Sequence, residues 1–381
     1  MKVLVVPYSY PNKHYRYRAI FIEDQVKAIS KITENNIYVL GAVPVSLKEV
    51  FSKGFSALGR YEINQDNVSG TILFYLAFPK LRKFNRYMRY ILNKFLMNKF
   101  MKKYGKMDII HIHNADAGKI AVWIKKIYGI PYCITEHSSS FNQKLKVSEI
   151  KYYQSIYENS SYNIAVSEVF SKTLSNIFQL NFHYIPNVTN TNIFVPKSLK
   201  NRDGFRFINV ANLTKNKNQK LLIQSFAKVF SNHLDVKLLI IGQGEEYLNL
   251  NREIQRLNVS KQVVLYGSAN RKEVVSELQK SDILVLSSNS ETFGVVIIEA
   301  MSCGLPVLST KSGGPESIIK NEKLGILVEK NDINLLSSAL LSIKEKEYDK
   351  KYIRKYCIEK FSNIMISNKL NNIYEKMKNE N

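Results

Sequence analysis

Short apolar runs alternate with amphipathic stretches along the first half of the chain. Between the runs, apolar side chains recur about every three to four residues, as in a helix that covers one face of a sheet. The runs that predict strands are KVLVV (2–6), IYVLG (37–41), DIIHIH (108–113), YCIT (132–135) and NIAVS (163–167). Strands separated by helices at these intervals predict parallel-sheet units.

The same alternation begins again after residue 204. The segment 183–204 carries two prolines and no periodicity, which indicates a domain boundary. The second set of predicted strands is FRFINVA (205–211), VKLLIIG (236–242), VVLYG (263–267), DILVLSS (282–288) and LPVLST (305–310). We therefore expect an α/β protein with two Rossmann-like, doubly wound parallel-sheet domains, 1–190 and 203–358, facing a central cleft. A C-terminal helix at 360–381 is expected to pack back on the first domain.

The composition argues against a membrane-spanning protein and against a disulfide-rich or cysteine-based zinc protein. Apolar runs such as 236–242 are far shorter than the roughly 20 residues of a transmembrane helix. The three cysteines are odd in number and widely separated, which supports neither a disulfide framework nor a cysteine-based zinc site. The opening residues read as a buried strand rather than a signal peptide. A cytoplasmic protein is expected.

The net charge of +23 predicts an anionic partner. The excess is concentrated in 80–103, where nine Lys or Arg residues occur without any Asp or Glu and apolar residues recur at near-helical spacing. Such a helix either lies on an anionic membrane surface, on the inner face of the cell membrane, or packs its apolar stripe on its own domain. Nucleic acid is not expected as a partner, because no recognisable binding module accompanies the charge.

The segment 287–318 is the richest in candidate chemistry. A predicted strand ends at Ser288, Ser290 and Thr292 are possible helix caps, and a helix is predicted from about Phe293 until Gly304 and Pro306 stop it. The amides of Phe293, Gly294 and Val295 at the helix N-terminus would suit a diphosphate. Glu291 and Glu299 could accept hydrogen bonds from sugar hydroxyls, or could simply cap the helix and face solvent.

Two further loops of the second half carry candidates. Lys215 and Lys217 follow the predicted strand 205–211, and a lysine ammonium is a good partner for phosphate oxygens, although a loop lysine is often only solvated. Gly242 and Gly267 end the next two strands, and with Asn212 they are further candidates for the donor-binding site. The glycines at 242 and 244 lack the third glycine of a dinucleotide fingerprint, so NAD is weakly supported.

In the first half, Glu136 and His137 follow a predicted strand end, where His137 could donate a hydrogen bond to a sugar or phosphate or could be satisfied by the backbone. His111 and His113 alternate along a strand without an apparent third ligand, which favours packing over a metal site. The chain contains no Asp-x-Asp sequence, so no metal cofactor is expected.

Together these motifs resemble the large family-four retaining glycosyltransferases with the GT-B fold, over essentially the whole chain. The resemblance rests on the glutamate pair at 291 and 299, on AMSCGLPVLST (300–310) and GGPESI (313–318), and on TEHSSSF (135–141), IPN (185–187) and EKFS (359–362) in the same order. It implies that the second domain binds a nucleoside-diphosphate sugar and that the first supplies the acceptor side.

The resemblance also implies roles for individual residues. Glu299 would hold the ribose diol, and Glu291 with Thr292 and the amides of 293–295 would hold sugar hydroxyls and phosphate. Lys217 would neutralise the diphosphate, and His137 would reach the transferred sugar. Transfer would retain the anomeric configuration, with the leaving phosphate assisting the acceptor and no protein nucleophile.

Three positions depart from the family pattern. Asn212 stands where many members have an arginine beside the lysine, and Val188 follows Asn187 where glycine is common. The loop 7–21 lacks the paired glycines often found there and carries cationic side chains that would suit an anionic acceptor. These acceptor-side candidates are His14, Arg16 and Arg18, together with Glu136.

The expected function is transfer of a hexose or N-acetylhexosamine from a nucleotide sugar, a UDP-sugar first, to a membrane-associated, lipid-linked saccharide. Such a step belongs to surface-polysaccharide synthesis, of a capsule or a lipopolysaccharide. Two alternatives stay open: a glucan- or sucrose-type transferase with a soluble acceptor, and a non-catalytic partner subunit that kept the fold, which the change at Asn212 would permit.

Overall fold

The computed structural model describes residues 1–15, 18–65, 67–143, 145–197 and 204–380. The chain divides into two compact units, Met1–Val188 with Asn363–Asn381, and Thr189–Ser362. The second unit thus begins well before the expected residue 203. The reason is a set of hydrogen bonds inside that unit: the Arg354 guanidinium donates to the carbonyl oxygens of Thr191 (3.0 Å) and Phe194 (2.9 Å).

The first unit is built on one sheet with the strand order β3-β4-β2-β1-β5-β6-β7-β8, parallel except for the antiparallel pair β3–β4. Its strands are β1 (Lys2–Pro7), β2 (Asn36–Ser46), β3 (Gly59–Gln65), β4 (Val68–Ala77), β5 (Ile109–His113), β6 (Tyr132–Glu136), β7 (Tyr162–Ala165) and β8 (His183–Tyr184). The five strands predicted for this half are confirmed, and the hairpin β3–β4 extends the sheet beyond them.

Helices pack on this sheet through their buried apolar residues, such as Ile22, Val26 and Ile29 of the first helix. They are α1 (Ile20–Ile32), α2 (Leu47–Lys53), α3 (Arg82–Tyr104), α4 (Lys119–Tyr128), α5 (Val147–Tyr157) and α6 (Glu168–Phe178). None of the described helices in either unit combines the length and the hydropathy that crossing a bilayer requires.

The second unit contains a six-stranded parallel sheet with the order β11-β10-β9-β12-β13-β14. Its strands are β9 (Phe205–Val210), β10 (Val236–Ile241), β11 (Val263–Gly267), β12 (Ile283–Leu286), β13 (Val307–Thr310) and β14 (Gly325–Val328). Its helices are α7 (Gln219–Phe230), α8 (Tyr247–Arg256), α9 (Arg271–Gln279), α10 (Val295–Ser302), α11 (Ile333–Glu345) and α12 (Lys350–Phe361). Successive strands run outward from β9 and then restart at β12, so the order reverses between these two neighbours, which is where doubly wound sheets bind ligands.

A last helix, α13 (Asn363–Asn379), belongs to the first unit. Its apolar face, including Leu370 and Met377, is buried in the core that contains α1 and β1. The Tyr374 hydroxyl lies 2.6 Å from His111 Nδ1 on β5. The end of the chain therefore completes the core of the domain that contains its beginning.

Candidate functional site

The strand-order reversal of the second unit brings two loops together. The loop after β9 carries Lys217, and the loop after β12 carries Glu291. Backbone and side-chain hydrogen bonds join them: the Asn289 amide donates to Asn216 O (2.8 Å), and Ser287 Oγ donates to Lys217 O (3.0 Å). Since β9 and β12 are adjacent in the sheet, residues 74 positions apart in sequence meet at the carboxyl ends of these strands.

Lys217 and Glu291 form an ion pair at this point, with the Lys217 ammonium donating to Glu291 Oε1. Ser288 Oγ donates to the same oxygen at 2.7 Å. The side chains are 24% and 11% exposed, so the pair is largely enclosed while the Lys217 side chain keeps part of its surface in solvent. A positive charge is therefore held in a fixed place at the point where a doubly wound domain receives a phosphate-bearing ligand.

Two consecutive glycines hold the backbone around Glu291. The Glu291 amide donates to Ser312 O (2.8 Å), and the Gly314 amide donates to Glu291 O (2.9 Å). A Cβ at Gly314 would lie 2.4 Å from the backbone of Phe293, so only glycine allows this approach. The pair Gly313–Gly314 thus positions the Glu291 loop, as does Ser288. None of these three residues had a predicted role of its own, although the GGP sequence signals a close backbone approach.

Helix α10 begins at Val295, two residues later than predicted, and Ser290 and Thr292 are not its caps. Its N-cap is Gly294, in a left-handed conformation with φ 95°. The Phe293 side chain is buried, with its ring centroid 6.0 Å from that of Phe361. Thr292 and Gly294 are half-buried. Gly294 provides no side-chain capping hydrogen bond to the first amides of α10, and the N-terminus of a helix favours an anion.

Glu299 lies half-buried on α10, one turn after the helix begins. Burial, together with the negative charge of Glu299, raises the pKa of the Cys303 thiol to about 12. Cys303 is therefore neutral and chemically quiet at physiological pH. The carboxylate of Glu299 belongs to the same strand–loop–helix segment as Glu291.

The glycines that end the neighbouring strands pack closely. The Gly242 amide donates to Gly267 O at 2.8 Å, and a Cβ at Gly242 would lie 1.9 Å from Ala211 O. No described atom lies within 4 Å of the Cβ position of Gly267. Asn212 is exposed, and its carbonyl oxygen accepts a hydrogen bond from Gln219 Nε2 (3.1 Å). Gly242 therefore serves close packing of the strand ends, while Asn212 faces solvent beside them.

In the first unit, Glu136 is fully buried and organises the loop after β6. Its Oε2 accepts hydrogen bonds from the Ala115 amide (2.9 Å) and the Tyr157 hydroxyl (2.7 Å), and its Oε1 accepts from the amides of His137 (3.0 Å) and Ser138 (2.9 Å). Burial raises the pKa of Glu136 to about 7. Both carboxylate oxygens accept hydrogen bonds from neighbouring groups of the first unit, so Glu136 positions His137, and this argues against its predicted contact with an acceptor.

His137 stands at the outer end of a row of three histidines. Its Nε2 lies 2.9 Å from His113 Nδ1, its ring packs against Phe21 at 4.7 Å, and His113 stacks on His111 at 4.5 Å. Both ring nitrogens of His111 make hydrogen bonds, Nδ1 with the Tyr374 hydroxyl and Nε2 with Thr135 Oγ1 at 2.8 Å. Burial lowers the pKa of His111 and of His137 to about 3 and that of His113 well below its ordinary value. All three are neutral at pH 7.

In the loop 7–21, which was expected to bind an anionic acceptor, one cationic side chain already forms an ion pair within the protein. Arg18 donates to Glu49 Oε1 at 2.7 Å and stacks on the Tyr15 ring at 4.8 Å. The half-buried His14 donates its backbone amide to Asn12 Oδ1 (2.8 Å). Arg16 lies outside the described residues. Within the described part of the chain, no three His, Cys, Asp or Glu side chains come together as a metal site would require.

Two family models match consecutive parts of the chain. The model described as Glycosyltransferase Family 4 matches residues 50–193, and the one described as Glycosyl transferases group 1 matches residues 190–360. The second match contains Lys217, Glu291 and Glu299.

Individual proteins are similar over most of the chain. The protein named "Probable sucrose-phosphate synthase" of Thermosipho melanesiensis is 29% identical over 70% of this chain and 72% of its own. The UDP-Gal:alpha-D-GlcNAc-diphosphoundecaprenol alpha-1,3-galactosyltransferase of Escherichia coli is 26% identical over 65% of this chain and 68% of its own. Among solved structures, Anabaena HepE in complex with UDP superposes with a TM-score of 0.74 at 16% identity, covering 99% of this chain and 100% of HepE.

Proposed function

Because the chain belongs to family 4 of the glycosyltransferases, with the GT-B fold, we propose that it transfers a hexose or N-acetylhexosamine from a UDP-sugar to a lipid-linked saccharide, with retention of configuration. The observation that carries the proposal is the ion pair of Lys217 and Glu291 at the strand-order reversal of the second unit, beside the N-terminus of α10. The reaction belongs to the synthesis of a surface polysaccharide.

The donor side follows from the charges at this point. When the sugar departs, negative charge accumulates on the terminal phosphate of the nucleotide. The Lys217 ammonium and the first amides of α10 are the positive groups that stabilise it, which makes a divalent cation unnecessary in this proposal. Glu291 and Glu299 accept hydrogen bonds from sugar and ribose hydroxyls, respectively. The complex of HepE with UDP supports the choice of UDP as the first nucleotide to test.

His137 is proposed to contact the transferred sugar. Since burial lowers its pKa to about 3, the ring is neutral at pH 7 and donates a hydrogen bond without adding charge. The acceptor hydroxyl then loses its proton to the leaving phosphate, not to the imidazole. In this scheme the protein contributes positioning and charge stabilisation.

The proposal of a lipid-linked acceptor is based on helix α3. One face of the helix leaves apolar side chains in solvent: Phe84, Tyr87, Ile91 and Phe95 are 43%, 61%, 39% and 50% exposed. We call these four residues the exposed stripe. Lys83, Lys94 and Lys99 lie on the same helix, and such a combination favours the surface of an anionic membrane. The Escherichia coli relative, whose printed name includes a diphosphoundecaprenol-linked sugar, supports a lipid-linked acceptor.

The test is a transfer assay with labelled UDP- and GDP-sugars and synthetic lipid-linked acceptors. Wild-type protein is expected to transfer sugar from a UDP donor with retention, and Glu299→Ala to lose that activity. Glu345→Ala, an exposed carboxylate at the end of α11, is the matched control and is expected to keep it. Equal activity of Glu299→Ala and wild type would contradict the donor assignment, and an inverted product would contradict the mechanism.

A soluble acceptor is the second candidate, favoured by the similarity to the Thermosipho protein named as a sucrose-phosphate synthase. Sedimentation with vesicles separates the two. A protein with a lipid-linked acceptor is expected to sediment with phosphatidylglycerol vesicles at physiological salt, whereas a soluble-acceptor enzyme stays in the supernatant and transfers sugar to fructose 6-phosphate.

A further inference from the structure

Three helices of the first unit begin around one cavity of about 860 Å³. Helices α3, α4 and α5 follow strands β4, β5 and β6, which are parallel members of one sheet whose carboxyl ends share an edge. The cavity is lined by five cations, Arg82, Lys83, Arg86, Lys119 and Lys146, by the tyrosines Tyr87, Tyr90 and Tyr152, and by Ser148 and Glu149. Its volume is in the range of ligand pockets, about 300–1,000 Å³.

The cations of this cavity exceed the acids available to them. Arg82 pairs with Glu149, and Arg86 pairs with Asp116 at 3.0 Å while stacking on the Tyr152 ring at 4.2 Å. The three lysines, Lys83, Lys119 and Lys146, have no ion pair with a carboxylate in the described parts of the chain. The cavity therefore holds a net positive charge that the protein itself leaves unneutralised.

The positions of these cations add to the charge imbalance. Lys119 is the first residue of α4, Lys83 lies in the first turn of α3, and Lys146 is the N-cap of α5. The N-terminus of a helix carries a partial positive charge, so a cation there is unfavourable. Neither α3 nor α4 has an acid in its first turn to offset this. An anion in the cavity would interact favourably with both the side chains and the three helix ends.

The cavity also has an apolar exit. Tyr87 lines it and at the same time belongs to the exposed stripe of α3, which continues through Ile91 to Phe95. A ligand with an anionic head and an apolar tail would place its head among the lysines and its tail along this stripe. A free inorganic anion would contact only the lysines of the cavity and not the exposed stripe.

We propose that this cavity binds the phosphate or diphosphate group of an amphiphilic lipid ester, with the apolar chain lying along the exposed stripe. The inference deepens the proposed function, on which it rests, because it assigns a site to the diphosphate of the lipid-linked acceptor. Either the acceptor lipid or an anionic bilayer phospholipid could supply this chemistry, and the experiment separates them.

The test measures binding of farnesyl diphosphate by calorimetry, with saturating UDP present so that a diphosphate site in the second unit is occupied. The double variant Lys83→Gln/Lys119→Gln removes two exposed cavity lysines from α3 and α4. Lys102→Gln/Lys126→Gln removes two exposed lysines of the same helices outside the cavity and is the matched control. The cavity variant is expected to bind roughly tenfold more weakly or worse, because two charge-assisted contacts are lost, and the control to bind like wild type.

A second variant, Ser148→Trp, fills the cavity without changing charge. It is expected to lose farnesyl diphosphate binding, while sedimentation with phosphatidylglycerol vesicles persists if the bilayer is attracted by charge alone. Inorganic diphosphate is expected to bind more weakly than farnesyl diphosphate.

Two outcomes would overturn the site: equal farnesyl diphosphate binding by wild type and the cavity variants, or equal weakening in the control. Vesicle sedimentation that is lost in the cavity variants, without farnesyl diphosphate binding by wild type, would assign the cavity to a bilayer phospholipid. UDP binding in the same preparations reports on the second unit separately. Its retention alongside a failed cavity test refutes this inference alone, and its absence refutes the proposed donor site.

Discussion

Replacing Lys217 by alanine tests whether the ion pair at the strand-order reversal binds the donor. The change removes the ammonium that donates to Glu291 Oε1 and leaves that carboxylate with the Ser288 hydroxyl, 2.7 Å away. In the absence of nucleotide the effect on folding is expected to be small, about 1 kcal/mol or less, because the ammonium is partly exposed and such pairs are screened by solvent.

The effect on nucleotide binding is expected to be much larger. A hydrogen bond to a charged group contributes about 1.5–3 kcal/mol, and each 1.4 kcal/mol corresponds to a tenfold change in Kd. The affinity for UDP should therefore fall roughly 10- to 150-fold. The uncompensated Glu291 carboxylate would repel the diphosphate, which places the expected value toward the upper end of that range.

Isothermal calorimetry with UDP, and with GDP in parallel, measures this change. Lys215→Ala is the matched control, since Lys215 lies two residues away on the same loop and is exposed. Thermal unfolding without nucleotide verifies that both variants are folded. A Kd for Lys217→Ala within twofold of wild type would refute the assignment of Lys217 to the diphosphate, and equal losses in both variants would show only a general effect of loop charge.

Two further predictions concern stability. Burial lowers the pKa of His137 from 6.5 in the unfolded chain to about 3 in the folded protein. On acidification the unfolded chain therefore takes up this proton at a higher pH than the folded protein does. The free energy of unfolding decreases as the pH falls between these two values. The difference in unfolding free energy between wild type and His137→Gln should change by up to about 1.4 kcal/mol per pH unit between pH 6.5 and 4, with wild type losing more on acidification. Urea titrations at several pH values measure this, and parallel curves for the two proteins would contradict the burial argument. Gly314→Ala would place a Cβ 2.4 Å from the Phe293 backbone and is expected to cost more than about 3 kcal/mol. By contrast Gly267→Ala meets no described atom within 4 Å and is expected to cost about 1–2 kcal/mol from its left-handed φ of 86° alone; similar thermal midpoints for the two variants would refute the steric explanation.

Local patterns in the sequence determined the class of fold. Strands such as β1, β5 and β9 are short and rich in apolar residues, and helices such as α7 carry an apolar stripe, so neighbouring residues alone specify them. Lys217 and Glu291 were predicted as site residues from their positions after strands, and Glu299 from the family resemblance; their contacts with a donor stay predictions. The start of α10 was misplaced, since the left-handed turn at Gly294, rather than a polar cap, decides where that helix begins.

Only the tertiary structure decided which of these residues meet. Lys217 and Glu291 contact each other because β9 and β12 are neighbours in the sheet, and strand order depends on packing of the whole domain rather than on local propensity. For the same reason the sequence could not show that Glu136 is buried at the end of β6, or that the first turns of α3, α4 and α5 converge on one cationic cavity. A side chain's chemistry is set by its type, but its pKa and its partners depend on neighbours that are distant along the chain.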